Sequence, residues 1–275
     1  MELNDIWREV RNTVEKYMDD FLPTEEEEPQ ILHRAIRYSI FNGGKRIRPL
    51  LVYLGYYLGK GDFEFQDERL VKTASAIEMI HTFTLIHDDL PAIDNDDTRR
   101  GKPSVHVKFG EDIAILAGDA LFAYAFQLLT DLPVRVQKTI VESLLSRGVI
   151  GGQVLDLRKE INTLEDVLQV HRYKTGELMR ASMASGYMLS GGTIVCVVEE
   201  IALSFGKIFQ ITDDMIDARS GDVEKASIMR FLSEEEARRL IEEELQKSSL
   251  MIEKAFGDRG KYLIELFNLV ASRNE

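Results

Sequence analysis

Residues 74–101 read ASAIEMIHTFTLIHDDLPAIDNDDTRRG, an apolar run followed at once by charge. The apolar part, 74–86, is typical of a buried helix, and five aspartates follow between positions 88 and 97. These aspartates fall at the C-terminal end of the helix, where the helix dipole already disfavours negative charge. A cation has to compensate them. Magnesium suits oxygen ligands at this density, because it binds one or two carboxylates together with substrate phosphates.

A second acidic cluster closes another apolar helical run, at residues 209–217 (FQITDDMID). Asp213 and Asp217 are four residues apart, so on a helix they share one face and can hold one ion, or one ion and its waters. Acidic runs are also common in solvated loops, and either cluster alone fits that reading about equally well. Both clusters, however, place paired aspartates at the end of an apolar helix. This shared order favours two acidic helix ends that bracket a polyphosphate through metal ions.

The two motifs resemble those of the trans-isoprenyl diphosphate synthases, the short-chain polyprenyl synthetase family, and most of all its bacterial farnesyl-forming members. The first motif consists of Asp88, Asp89 and Asp94 with the arginines and glycine of 99–101, and the second of Asp213, Asp214 and Asp217. The resemblance extends over residues 41–222. One motif alone would also fit a class I terpene cyclase, which lacks an isopentenyl site.

Helical features dominate the rest of the chain. All six prolines lie at or before Pro133, and apolar residues recur at intervals of three and four. Capping boxes are predicted at Thr163 with Asp166 and at Ser233 with Glu236. No convincing strand is found. We therefore predict an all-α fold, a single domain over residues 1–275 that forms a helical bundle with a central cavity.

Composition restricts the partners and the compartment. The net charge of −13 argues against nucleic acid, because phosphate backbones demand basic patches. No uninterrupted apolar run reaches the roughly 18 residues of a membrane span, and no secretory leader is recognisable. The single cysteine, Cys196, excludes an intramolecular disulfide and suits a reducing cytoplasm. Its apolar neighbours predict a packing role for it.

The stretch at 41–49, FNGGKRIRP, combines two glycines with three cations. Glycine lets a backbone approach a ligand closely, and cations hold a diphosphate by charge-assisted hydrogen bonds. Taken alone, the stretch also fits a basic loop before a helix. The family resemblance implies an isopentenyl diphosphate site formed by Gly44, Lys45, Arg48, His81 and Arg100.

The resemblance also implies the catalytic roles. Three magnesium ions would be held by the six motif aspartates: Asp88, Asp89, Asp94, Asp213, Asp214 and Asp217. Arg99, Lys174 and Lys225 would share the charge of the departing allylic diphosphate. Thr175 and Gln210 would line the place where the carbocation develops. A homodimer is expected from the family alone.

Phe83 and Thr84 are the candidate determinants of product length. Phe83 precedes Asp88 by five residues, about 7.5 Å along a helix. Spacing alone favours an ordinary core phenylalanine, whereas in the family an aromatic residue here, with a two-residue excess in the first motif, resembles the makers of the fifteen-carbon farnesyl product. A geranylgeranyl or geranyl product stays open. Asp88 and Asp94 can converge only if the backbone bulges near Pro91.

The chain departs from the family pattern after the second motif. The family continues into a glycine- and lysine-bearing loop, whereas here Gly221, Asp222 and the next few residues run almost directly to Ser233. Lys225 can stand in for the missing lysine, slightly out of register. A shortened loop also fits a catalytically weak partner subunit, although such a subunit should have lost its aspartates.

Overall fold

The computed structural model describes residues 1–221 and 224–273. Its helices are α1 (Leu3–Phe21), α2 (Gln30–Ile40), α3 (Ile47–Lys60), α4 (Glu68–Asp88), α5 (Val105–Phe109), α6 (Glu111–Leu129), α7 (Val134–Glu142), α8 (Val149–Arg158), α9 (Leu164–His171), α10 (Glu177–Leu189), α11 (Val195–Ser220), α12 (Glu234–Phe256) and α13 (Lys261–Ala271). A π-helical turn, Arg172–Gly176, joins α9 to α10, and Ile228–Arg230 and Gly257–Gly260 form 3₁₀ turns. The all-α prediction is confirmed. Asp222, which the sequence marks as the start of the shortened loop, lies outside the described residues.

The chain divides into two compact units. One, the motif-1 unit, comprises Asn4–Leu50 and Glu64–Pro133; the other, the motif-2 unit, comprises Met1–Leu3, Leu51–Phe63 and the residues from Val134 onward. The first aspartate motif belongs to the former and the second to the latter. That residues 1–275 act as one domain stays a prediction.

Helix α4 is the core of the motif-1 unit. Asp67 caps it, because its side chain accepts the backbone N–H groups of Arg69 and Leu70. Thirteen of its 21 residues are buried, on all sides of the helix, as expected for a helix enclosed by others. Helix α6 packs along it. The predicted buried helix at 74–86 is confirmed, and it ends at Asp88, where the acidic motif begins.

A small hairpin follows the first motif, although the sequence predicts no strand. Thr98–Arg99 (β1) pairs antiparallel with Lys102–Pro103 (β2). The two residues between them, Arg100 and Gly101, have φ values of 56° and 74°, the positive values that a tight two-residue hairpin turn requires. Two-residue strands are too short to give an alternating pattern, so the sequence carries no signal for them.

Helices α10 and α11 form the centre of the motif-2 unit, with α12 and α13 against α11. Glycine permits α10 to approach α3 closely: a Cβ on Gly186 would lie 1.8 Å from the carbonyl oxygen of Val52. Both predicted capping boxes are present, at the starts of α9 and α12. The packing role predicted for Cys196 is wrong. It is exposed near the start of α11, because its apolar neighbours do not all face the core.

Helix α6 is apolar over an unexpected length. Among the described helices it alone is long and apolar enough to cross a membrane, and 39% of its most apolar stretch is buried. Its charges are concentrated in the first turn and at Asp119, so no uninterrupted apolar run marks it in the sequence. Core helices of globular proteins can be equally long and apolar, and α6 packs against α4 and α2.

Candidate active site

The first aspartate motif is a turn that folds back on the end of α4. The backbone N–H of Asp94 donates to the carbonyl oxygen of Asp88 at 2.9 Å, and that of Asp96 donates to Asp89 at 3.2 Å. The spacing suggests a bulge near Pro91, but the helix instead ends at Asp88. The consequence is the same: Asp88 and Asp94, six residues apart, are brought together.

Asp89 differs from its neighbour Asp88 because it is buried, with 2% of its surface exposed. Its carboxylate accepts hydrogen bonds from Nε and NH2 of Arg99, the first at 2.9 Å. Arg99 also reaches Asp96 at 2.9 Å. Burial raises the pKa of Asp89, and the Arg99 guanidinium opposes that rise. Asp89, expected to bind metal, and Arg99, expected to bind the diphosphate, are thus paired with each other.

The cations of the 41–49 stretch have different environments. Lys45 is exposed and Arg48 half-buried, as ligands of a diphosphate can be. Arg46 is fully buried and donates to Glu78 at 2.8 Å, to Glu15 at 3.0 Å and to the carbonyl oxygen of Ile40. Arg46 therefore stabilises the 41–49 stretch through buried ion pairs and a buried hydrogen bond.

Arg100 joins this loop to the hairpin. Its NH1 donates to the carbonyl oxygen of Gly43, and a Cβ on Gly44 would lie 2.9 Å from the guanidinium carbon. A side chain at 44 would displace this guanidinium, and the φ of 122° at Gly44 is one that residues other than glycine rarely adopt. Asn42 makes a second hydrogen bond between the loop and the hairpin, since its Nδ2 donates to the carbonyl oxygen of Arg99 at 3.2 Å.

His81 lies among these cations on α4. Removal from water lowers its pKa well below the usual value, and the positive charges of Arg48 and Arg100 lower it further. At neutral pH the imidazole is therefore uncharged and offers one N–H donor to an anion. The structure brings three of the predicted isopentenyl diphosphate ligands into one electropositive neighbourhood: Arg48, His81 and Arg100.

Phe83 and Thr84 lie one to two turns before Asp88. Phe83 is 8% exposed, and its ring meets that of Phe122 edge-on, with centroids 5.0 Å apart. Thr84 is half-buried, and its hydroxyl donates to the carbonyl oxygen of His81 at 2.8 Å. The pair of rings joins α4 to α6 within the motif-1 unit, and the product-length role of Phe83 and Thr84 stays a prediction.

The second aspartate motif lies in the last turns of α11. Asp213 and Asp217 are half-buried on one face of the helix. Asp213 accepts a hydrogen bond from NH2 of Arg273 at 2.8 Å, and the Arg273 guanidinium lies 5.3 Å from the ring centroid of Phe209. No local pattern links Arg273, sixty residues away, to this motif, so the sequence could not reveal the contact.

Asp214 faces another way. It is 7% exposed, and its Oδ2 accepts the backbone N–H of Ile228 at 2.7 Å. Burial raises its pKa to about 7. Asp214 thus differs from Asp213 and Asp217 in its burial and in its hydrogen-bond partner, and its metal-binding role stays a prediction.

Lys174 and Thr175 are carried by the π-helical turn. π turns inside helices are frequent at functional sites, because they shift side chains out of the regular helical register. The hydroxyl of Thr175 donates to Oε1 of Gln210 at 2.8 Å, which joins two residues predicted for the same role. A Cβ on Gly152 would lie 2.2 Å from the backbone nitrogen of Lys174, so glycine at 152 permits α8 to approach the turn.

Asp156 is a functional candidate that sequence reasoning missed. Its carboxylate accepts Nζ of Lys174 at 2.6 Å, and its carbonyl oxygen accepts Nζ of Lys225 at 3.3 Å. It thus joins the two lysines predicted to bind the leaving diphosphate. No local sequence pattern marks it, because Lys174 and Lys225 lie 18 and 69 residues away.

The donor set fits magnesium better than a preformed metal cage. Among residues 1–221 and 224–273, no three His, Cys, Asp or Glu side chains form a group able to hold an ion. Each unit instead offers a carboxylate pair, Asp88 with Asp94 and Asp213 with Asp217. Magnesium commonly binds one or two carboxylates and takes its remaining ligands from water and substrate phosphates.

Comparison with known proteins shows which family this chain resembles. The polyprenyl synthetase family model matches residues 29–229. The geranylgeranyl diphosphate synthase of Cyanophora paradoxa is 38% identical over 270 residues, which covers 90% of this chain and 89% of that protein. The farnesyl diphosphate synthase of Geobacillus stearothermophilus is 39% identical over 235 residues, 80% of this chain and 75% of that protein.

A solved structure agrees with these sequence relatives. The crystal structure of a geranyltranstransferase from Thermotoga maritima superposes with a TM-score of 0.83 at 30% sequence identity, and the match covers 98% of this chain and 100% of that one. Fold, motifs and relatives therefore agree. The chain belongs to the polyprenyl synthetase family of prenyltransferases.

Proposed function

We propose that this protein condenses isopentenyl diphosphate with dimethylallyl or geranyl diphosphate and releases farnesyl diphosphate. The observation that carries the fifteen-carbon product is the Phe83–Phe122 ring pair, with centroids 5.0 Å apart. A growing prenyl tail that runs from the first motif along α4 meets this pair after about 7.5 Å. The pair then acts as the floor that stops elongation.

The residues of the motif-1 unit bind and orient isopentenyl diphosphate. Lys45, Arg48 and Arg100 supply positive charge, and neutral His81 adds a hydrogen-bond donor. Gly44 leaves room for the Arg100 guanidinium. Charge-assisted bonds of this kind fix the diphosphate, so that the double bond of isopentenyl diphosphate is held in place to attack the carbocation.

The allylic diphosphate is the leaving group. Magnesium ions, three by the family resemblance, bound at Asp88, Asp94, Asp213 and Asp217 would neutralise its charge and allow it to depart. Lys174 and Lys225 share that charge, and Asp156 sets their positions. Arg99 contributes from its ion pair with Asp89.

Thr175 and Gln210 act on the carbocation. Their hydrogen bond orients two oxygen dipoles without offering an ionised nucleophile. The reaction requires that water be kept from this place, because water would quench the cation. The released diphosphate accepts the final proton, which completes ionisation, condensation and elimination.

A twenty-carbon product is the second candidate. It is favoured by the similarity to the geranylgeranyl diphosphate synthase of Cyanophora paradoxa, which covers 90% of this chain. Phe83 separates the two candidates, because a geranylgeranyl product needs a cavity that extends past this ring. A ten-carbon product would require a floor closer to Asp88.

Replacing Phe83 by alanine is expected to lengthen the product from fifteen to twenty carbons or more, because removing the ring opens space next to Phe122. The measurement is chromatography of the dephosphorylated alcohols after reaction with isopentenyl and geranyl diphosphate. Phe267→Ala, which removes a ring of 1% exposure in the motif-2 unit, is the matched control. Both variants lose stability, by about 3–5 kcal/mol. Only Phe83→Ala should change chain length, and an unaltered profile would refute the floor.

We also propose that the active form is a homodimer, an expectation that comes from the family. Sedimentation equilibrium should give the mass of two chains. A catalytically weak partner subunit is the alternative, and it predicts that the isolated protein turns over only when a second, different synthase chain is added. Activity of the isolated protein would exclude that role.

A further inference from the structure

Asp214 lies between Asp213 and Asp217 in the sequence, but its side chain does not lie on the helix face that these two aspartates share. Consecutive residues of an α-helix are rotated by about 100°, so Asp214 cannot align with both Asp213 and Asp217. It is 7% exposed, whereas its two neighbours are half-buried. Its Oδ2 accepts the backbone N–H of Ile228 at 2.7 Å, a bond across fourteen residues.

The acceptor belongs to α11, and the donor belongs to the segment that replaces the family's longer loop. In this segment, residues 224–230, Ala226, Ser227 and Ile228 are all at least 95% buried. Ser227 caps the 3₁₀ turn that follows, because its hydroxyl accepts the N–H of Met229 at 3.2 Å. The segment is therefore held as part of the core of its unit.

His171, the last residue of α9, holds the same segment from the other side. Its Nε2 lies 2.9 Å from the carbonyl oxygen of Ala226 and 3.5 Å from Oδ2 of Asp214. A carbonyl oxygen can only accept, so Nε2 carries the proton and donates to Ala226.

The segment in turn positions Lys225. The carbonyl oxygen of Lys225 accepts NH1 of Arg230, and its Nζ reaches the carbonyl oxygen of Asp156 at 3.3 Å. Asp156 also holds Lys174 at 2.6 Å. The position of the 224–230 segment thus determines whether the two lysines meet at Asp156.

We infer that Asp214 is a positioning residue and not a metal ligand: together with His171 it clasps residues 224–230 and places Lys225 beside Asp156. The role of Lys225 toward a diphosphate rests on the proposed function, whereas the clasp itself does not. In this way a short connection places a lysine that the family pattern places with a longer loop. Asp214, the middle aspartate of the second motif, then has a structural role.

Limited proteolysis tests the clasp without reference to catalysis. Trypsin can cleave after Lys225 and after Arg230, and the buried segment should resist it. Asp214→Leu keeps a side chain branched at Cγ but leaves the Ile228 N–H without its acceptor, which should speed cleavage at these two bonds about tenfold, as expected for the loss of one buried hydrogen bond. Asp214→Asn keeps an acceptor oxygen and should cleave like the wild type.

His171→Leu provides an independent variant, since it removes the bond to Ala226 with Asp214 intact. It should show the same faster cleavage at the same bonds. Mass spectrometry of the fragments, with cleavage after exposed Arg8 as the internal reference, separates local opening from global unfolding. Equal protection of the wild type, Asp214→Leu and His171→Leu would overturn the clasp.

Metal binding tests the other half of the inference. Mn²⁺ is titrated calorimetrically in the presence of inorganic diphosphate. Asp213→Asn should weaken binding at least tenfold, whereas Asp214→Asn should change it less than threefold. Equal weakening by both variants would make Asp214 a ligand and overturn the inference. If the wild type binds no Mn²⁺, the proposed metal chemistry fails, while the proteolysis result still decides the clasp.

Discussion

Replacing Asp88 by alanine is expected to lower kcat about 10³-fold or more while the protein stays folded. Asp88 ends α4, and the Asp94 N–H bound to its carbonyl oxygen brings the second carboxylate of the pair back to it. Loss of one carboxylate from a metal pair removes several kcal/mol of charge stabilisation from the transition state, and each 1.36 kcal/mol is about a tenfold change in rate. The measurement is steady-state turnover at saturating magnesium.

The side chain of Asp131 offers the matched control for Asp88. It is exposed in the same unit and pairs with Lys72 on the surface at 2.7 Å. Asp131→Ala should retain activity, because an exposed ion pair contributes at most about 1 kcal/mol to stability. Circular dichroism checks that both variants are helical. Undiminished turnover of Asp88→Ala would remove the metal assignment at the first motif.

Replacing Arg46 by alanine is expected to lower the free energy of unfolding by about 3–5 kcal/mol. The side chains of Arg46 and Glu78 are 0% and 2% exposed and lie 2.8 Å apart. Without the guanidinium, Glu78 becomes a buried charge without compensation, and the carbonyl oxygen of Ile40 loses its donor. Total stabilities of about 5–15 kcal/mol make such a loss large. Urea denaturation followed by circular dichroism measures it.

Two further variants test the cause of this loss. Arg8→Ala removes an arginine whose side chain is 70% exposed and should cost less than about 0.5 kcal/mol. The double variant Arg46→Met with Glu78→Leu removes both charges and should recover much of the stability, because the buried charge is gone. A loss below about 1 kcal/mol for Arg46→Ala would show that Glu78 is compensated by other groups.

Local sequence patterns predicted the helices well. The unbroken apolar character of 74–86 marks a helix enclosed on all sides, and α4 is such a helix. The capping boxes at Thr163 and Ser233 fix the starts of α9 and α12 to the residue. In each case the deciding interaction joins residues within one or two helical turns, so it is visible in the sequence.

Features that depend on distant partners could not be predicted in this way. Arg46 has the same local setting as Lys45 and Arg48, and its distant partners Glu15 and Glu78, 31 and 32 residues away, make it a buried structural residue. Asp214 has the same local setting as Asp213. Its partner, Ile228, lies beyond the end of the helix, and the bond depends on how the chain returns.

Asp156 shows a third kind of limit. Gly152, on the same helix α8, lets that helix approach Lys174 closely. The same approach brings Asp156 to Lys174, a consequence that needs the π-helical turn Arg172–Gly176. A π turn has no simple sequence signature, so its effect on side-chain register was not foreseeable.

The most direct measurement is a magnesium-dependent incubation of the protein with isopentenyl diphosphate and each allylic diphosphate in turn, followed by dephosphorylation and chain-length analysis. We predict a dominant fifteen-carbon alcohol from dimethylallyl and geranyl diphosphate, and none when magnesium is removed with a chelator. A dominant twenty-carbon alcohol would contradict the role of Phe83. No product from any allylic diphosphate, with a folded and magnesium-replete protein, would contradict the proposed synthase activity itself.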